Sequence, residues 1–195
     1  MSEDLISKLP TSRRLVLDLG MGDGQLLANL SNNEKESFFI GIEINPDRFS
    51  QASSFIKNQN VELINDSFEK IIPLLRDNSI SQVFYILPDP KYIDKNHKTD
   101  WERLYKLIYY KIKQYGTFIL ITEITNELFQ PVENKILDTE MNWIKNSFES
   151  LGYVTLECYE GYPEKYTTSF LRTFSGDLER IRILYFEFIK VNNQK

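Results

Sequence analysis

Short apolar runs separated by stretches of helical spacing organise this chain. Leu15 to Leu19 is apolar except for Asp18 and ends in glycines, which suits a buried parallel strand feeding a tight turn. Residues 25–32 read as a helix and residues 38–44 as a second strand. Asn45-Pro46 then opens a helix to about Lys57, with proline in the first turn, where its missing N–H is no loss. Val61 to Asn65 is a third strand, Phe68 to Arg76 a helix, and Ser81 to Leu87 a fourth strand stopped by Pro88-Asp89-Pro90. Thr99 to Tyr115 reads as a helix, Gly116 to Thr122 as a fifth strand, Thr139 to Leu151 as a helix, and Tyr153 to Tyr159 and Ile181 to Val191 as the last two strands. This alternation predicts an α/β fold: a mostly parallel seven-stranded sheet with helices on both faces. Residues 161–180 are rich in turn and polar residues and offer no helix, so the last two strands are expected to pair antiparallel, the final one running against the rest.

Composition narrows the class. A length of 195 residues with 42% hydrophobic positions fits one domain, and no repeat or linker divides it. The lone Cys158 cannot form an internal disulfide, and the first ten residues, Met1 to Pro10, lack an uninterrupted apolar core, so a cytoplasmic protein away from membranes is expected. The net charge of -5 argues against a surface that grips phosphates everywhere. It hides an asymmetry: residues 91–113 carry seven basic and three acidic side chains, whereas residues 123–164 carry nine acids against Lys135 and Lys145. A local basic face and an ordinary mixed surface both fit that pattern.

The candidate chemistry begins at Asp18-Leu19-Gly20-Met21-Gly22-Asp23-Gly24, an acid and three alternate glycines between a strand and a helix. Glycines there let the backbone turn sharply and approach a ligand. The spacing differs from the dinucleotide fingerprint, which turns the reading away from nicotinamide. It resembles the first motif of class I methyltransferases, which implies an S-adenosylmethionine site at Asp18, Gly20, Gly22 and Gly24. Glu43 ends the second strand about twenty residues on, where Rossmann-like sites place an acid on ribose hydroxyls. The resemblance adds Asp66 and Ser67, after the third strand, near the adenine, and Leu87 beside the methyl.

The fourth-strand turn, Leu87-Pro88-Asp89-Pro90, lacks the N/D-P-P-Y/F of adenine amino methyltransferases. Pro88-Asp89-Pro90 followed by Lys91, Lys95, His97 and Lys98 is instead similar to the tRNA (guanine-N7) methyltransferase family, with its F-P-D-P-W and downstream R-H-x-K-R. Thr122-Glu123 matches that family's T-D pair, and Thr168-Ser169-Phe170 before Gly176 matches its C-terminal T-x-F/Y-E. The resemblance runs from about Arg14 to Ile189 and implies a tRNA partner, catalysis centred on Asp89, and substrate contacts from Lys91, Lys95, His97, Lys98, Thr122, Glu123 and Thr168. The chain departs from the pattern in lacking the tryptophan, most of the arginines and, at Leu171, the motif glutamate. Arginine's bidentate phosphate and base contacts are thereby thinned.

Read as residues, His97 fits a solvated loop or an RNA contact; with no cysteine or second histidine beside it, no metal site is expected. Trp101, Tyr105, Tyr109 and Tyr110 have helical spacing that puts most of them in the core. A methyltransferase for a small molecule or protein, and a non-catalytic RNA-binding paralogue, are the alternatives the residues leave open.

Overall fold

The computed structural model describes residues 9–10, 13–125, 130–174 and 180–191, for Asp100 the backbone only; Gly176 and residues 1–8 lie outside them. Seven strands, β1 (Arg14–Leu19), β2 (Ser37–Ile42), β3 (Val61–Ile64), β4 (Ile80–Ile86), β5 (Ile112–Thr125), β6 (Tyr153–Glu160) and β7 (Ile181–Lys190), form one sheet in the order β3-β2-β1-β4-β5-β7-β6. The pairs β1–β2, β1–β4, β2–β3 and β4–β5 are parallel, and β7 is antiparallel to both β5 and β6. This is the expected Rossmann-like sheet, with its final strand reversed.

The helices are α1 (Gln25–Asn33), α2 (Pro46–Phe55), α3 (Phe68–Ile71), α4 (Lys98–Lys111), α5 (Asn134–Ser150) and α6 (Ser169–Phe174). Strand alternation sends successive residues to opposite faces. Leu15, Leu17 and Leu19 of β1, with Phe118 and Leu120 of β5, join Trp101, Tyr105 and Phe148 on one side; Val16, Ile119 and Ile121 join Leu26, Leu27 and Ala52 on the other. Trp101 and Tyr105 are core, as their spacing predicts, whereas Tyr110 is 51% exposed.

Three expectations are corrected. The helix from Phe68 stops at Ile71 and tightens into a 3-10 turn over Ile72–Leu74, because Pro73 cannot donate an amide to a continuing helix. The helix expected to reach Tyr115 ends at Lys111, and residues 112–115 already belong to β5. A register irregularity there lies between the Ile80 and Gln82 pairings, and Tyr115 takes φ 61. Residues 161–180, read as helix-free, hold a 3-10 turn at Glu164–Tyr166 and the six-residue α6, too short to show a helical period in sequence.

Candidate functional site

From β1 the chain steps outward through β2 to β3, then returns to β4 on the other side of β1 and continues to β5. The crevice beyond the carboxyl ends of β1 and β4 is therefore the topological switch point, where open α/β sheets take ligands. A cleft of about 360 Å³ lies there, lined by Asp18, Gly20, Gly22, Leu87, Asp89, Glu123 and Thr168 among others.

The turn after β1 is shaped for close approach. Gly20 and Gly22 have φ 66 and 59, and no atom stands within 4 Å of where a Cβ would project. Gly24 does something else: it does not line the cleft, and a Cβ there would meet Ala52 Cβ at 2.8 Å and Ile56 at 2.7 Å, so it lets α1 pack on α2. Glu43 is 5% exposed and also does not line the cleft. Its Oε2 accepts from the Gly22 amide at 2.9 Å and its Oε1 from the Asn45 amide at 2.8 Å, so the carboxylate braces the glycine turn against the end of β2. Each oxygen keeps an acceptor site.

Asp66 and Ser67 lie outside both the cleft and its neighbour described below. Asp66 accepts from the Ser67 amide at 2.8 Å and pairs with Lys70 at 3.2 Å, contacts that hold its carboxyl below the usual range, while Ser67 caps α3 through the Glu69 amide at 3.2 Å. Asp18 faces the cleft from β1 and is 2% exposed. Burial, then the negative charges of Glu43 and Asp23, push its carboxyl up to about 7.

The turn after β4 is strained and braced. Leu87 sits at φ 49, a region unfavourable to residues with a Cβ, and its amide donates to the Ile121 carbonyl at 2.7 Å. Asp89 caps the 3-10 turn Pro90–Tyr92 by accepting from the Lys91 amide at 3.1 Å, leaving its other oxygen 3.9 Å from Lys91 Nζ.

A second cleft of about 580 Å³ adjoins the first, sharing Pro88, Pro90 and Glu123, and it gathers Lys91, Lys95, His97 and Thr122. Glu123 stands where the two meet. Its Oε2 is buried without a hydrogen-bond partner among the described residues, and burial, with Asp89 adding, raises its carboxyl above the usual range. Several basic side chains of this stretch already have acids beside them: Lys95 pairs with Glu140, His97 Nδ1 lies 2.7 Å from Asp94, and Lys98, which lines neither cleft, is 3.2 Å from Glu102. Among the described residues no group of three or more His, Cys, Asp and Glu is arranged to hold a metal ion.

Among further residues lining the first cleft, Arg48 and Phe174 carry no signal in the sequence, and Phe170 enters there only within the Thr168-Ser169-Phe170 match. Arg48, Phe170 and Phe174 reach the first cleft from α2 and α6, Arg48 lying 4.5 Å over the Phe170 ring. Ser169 Oγ donates to Asp23 Oδ2 at 2.6 Å, which ties α6 to the glycine turn. Thr168 lines the same cleft and caps α6, its hydroxyl oxygen accepting from the Leu171 amide at 3.2 Å. No local signal joins residue 48 to residue 170; only the sheet order brings them together.

Residues 12–150 match the family described as "Putative methyltransferase". The chain is 25% identical over 127 residues to a bifunctional methyltransferase of Rickettsia felis, covering 62% of this chain and 24% of that protein. It is 31% identical over 117 residues to the tRNA (guanine-N(7)-)-methyltransferase of Christiangramia forsetii, covering 56% of this chain and 51% of the relative. The alignments thus span about a quarter and about half of these relatives' lengths. Among solved structures, a variant of the 16S rRNA (adenine(1408)-N(1))-methyltransferase from Catenulisporales acidiphilia shares the fold, with TM-score 0.69 at 13% identity over 100% of this chain and 94% of that one.

Proposed function

The chain belongs to the methyltransferase family matched over residues 12–150 and has the class I methyltransferase fold, a premise from which we propose that it methylates N7 of a guanine in tRNA with S-adenosylmethionine as donor. The cleft fits that cofactor: Gly20 and Gly22 offer open backbone, the buried Asp18 carboxyl suits a cationic group, and Arg48 suits a carboxylate. Bound there, S-adenosylmethionine supplies an electrophilic methyl group on a sulfonium. Glu43 acts on this site by bracing the turn, and its remaining acceptor sites suit ribose hydroxyls.

The observation that carries the substrate reading is the pair of carboxylates, Asp89 and Glu123, where the two clefts join. Guanine N7 has an in-plane lone pair and no proton, so the chain needs no general base there. Its task is alignment, which contributes on the order of 7–11 kcal/mol. Asp89 and Glu123 are acceptors suited to the N–H edge of guanine and to the positive charge the purine gains. Asp89→Asn keeps the shape and removes the charge. We expect cofactor affinity within about twofold of the parent and single-turnover methyl transfer to tRNA lowered by roughly 100-fold or more, with product mapped as N7-methylguanosine. Transfer at the parent rate would leave Asp89 as a turn-former alone.

One observation favours a second reading. Lys95, His97 and Lys98 are paired with acids of the chain itself, as on an ordinary surface, which suits a small-molecule acceptor. Labelled S-adenosylmethionine offered bulk tRNA or a small-molecule extract separates the two by where the label goes.

A further inference from the structure

A pocket of about 320 Å³ lies at the opposite edge of the sheet, where β1, β4 and β5 begin. Its wall includes Arg13 before β1, Arg76 to Ser79 before β4, and Lys113 near the start of β5. Arg13, Arg76 and Lys113 are exposed, and none of these side chains forms an ion pair or hydrogen bond with a described residue. Among the described residues of the wall the carboxylate is Asp77, already held by Lys111 at 2.7 Å. Behind it, Lys190 Nζ donates to Asn78 Oδ1 at 2.8 Å and to the Ile112 carbonyl at 2.7 Å. Lys111 and Lys190 are buried, so water does little to screen them. Among the described residues, Arg13, Arg76 and Lys113 line the pocket with Lys111 and Lys190 nearby, against Asp77 as the wall's carboxylate, on a chain whose net charge is -5. Burial holds the Lys190 ammonium below the usual lysine range, against the pull of Asp77.

The position discriminates between ligands. The 7 residues of β4 separate this edge from the methyl-transfer cleft by about 23 Å. No single nucleotide or small metabolite spans that length, whereas a polynucleotide carries a phosphate at every step. Helix α4 joins the two places. It begins beside the second cleft at His97-Lys98, and at its end the Tyr110 carbonyl accepts from the Asn78 amide at 3.0 Å. Between them Arg103, Lys106 and Tyr110, spaced three and four apart on one helix face, line a shallow groove.

We infer that the pocket of Arg13, Arg76 and Lys113 binds a phosphate group of the RNA whose guanine enters the cleft, a second anchor remote from the chemistry. This rests on the tRNA reading above. Anisotropy titrations of labelled tRNA over a salt series, with the full chain, test it. Arg13→Gln/Arg76→Gln/Lys113→Gln should weaken tRNA binding by roughly tenfold near physiological salt and make the salt slope shallower by about 1, as for one lost phosphate contact. The charge-keeping Arg13→Lys/Arg76→Lys/Lys113→Arg should retain the parent slope, and calorimetric affinity for S-adenosylmethionine should be unchanged in both variants. Inorganic phosphate is the probe for a small-anion site. Thermal stabilisation of the parent by phosphate, lost in the glutamine variant while the tRNA slope stays put, would overturn the inference and assign the pocket to a free anion. An unchanged slope with no phosphate effect would overturn it as well. If the parent binds cofactor but no tRNA, the substrate reading itself fails and the inference falls with it.

Discussion

Asp18 carries the most specific chemistry of any single residue in the cleft. Its carboxyl titrates near 7 in the fold against 3.8 when free, so between those values the native chain binds more protons than the unfolded one. The Asp18 contribution to stability is therefore greatest below pH 3.8, is lost as pH rises toward 7, and is flat above that. Cofactor binding runs the other way, because a cationic group beside Asp18 needs the ionised form. Affinity for S-adenosylmethionine should fall about tenfold from pH 8 to pH 6, and Asp18→Asn should bind weakly with that slope removed. Calorimetry across this range checks it; a parent affinity flat with pH would take Asp18 out of cofactor recognition. Glu43 teaches the complementary lesson. A strand-end acid reads as a ligand residue, yet two backbone amides occupy it, so removing it strips both donors of their acceptor as well as altering the site.

Among the elements, α6 decides how closed the cleft is. Leu171 is 0% exposed and seats the helix in the core, which accounts for an apolar residue where the resembled motif carries glutamate: a carboxylate there would be buried. Seated this way, the helix puts Phe170 and Phe174 on the cleft, with Ser169 on Asp23 and Arg48 over Phe170. Phe170 is 43% exposed, so Phe170→Ala costs the fold little. It removes a cation–π contact of about 0.5–1 kcal/mol and part of the cleft wall, and we expect cofactor affinity to weaken about three- to tenfold through faster release. Stopped-flow dissociation measures this; an unchanged off-rate would make α6 a cover for the core and nothing more. In sequence the basic stretch fits a local basic face and an ordinary mixed surface alike. Folded, its members divide among the second cleft, an acid on α5 and the first turn of α4.

Across the whole molecule, one of the two core clusters lines the first cleft and the other contributes stability without lining it. Phe148 of α5 is fully buried, stacked on Phe188 at 4.5 Å and packed against Tyr105 at 4.6 Å, in the core cluster that does not line the first cleft. Phe148→Ala should lower stability by about 3–5 kcal/mol in urea unfolding while the folded fraction keeps its cofactor affinity. A loss of affinity matching the loss of stability would show that the two faces are coupled. The same division explains what the sequence by itself determined. The order of strands and helices, the reversed last strand, the glycine turn and the buried Trp101 and Tyr105 follow from periodicity and backbone freedom, which are properties of neighbouring residues. Tertiary structure alone decided which candidates share a cleft. It brought Asp18, Asp89, Glu123 and Thr168 together, turned Glu43 to the loop and Asp66 and Ser67 to a helix cap, gave Gly24 to helix packing, and added Arg48 and Phe170. Those outcomes depend on which strand lies beside which and on where each carboxylate finds its nearest donor, distances that no local spacing encodes.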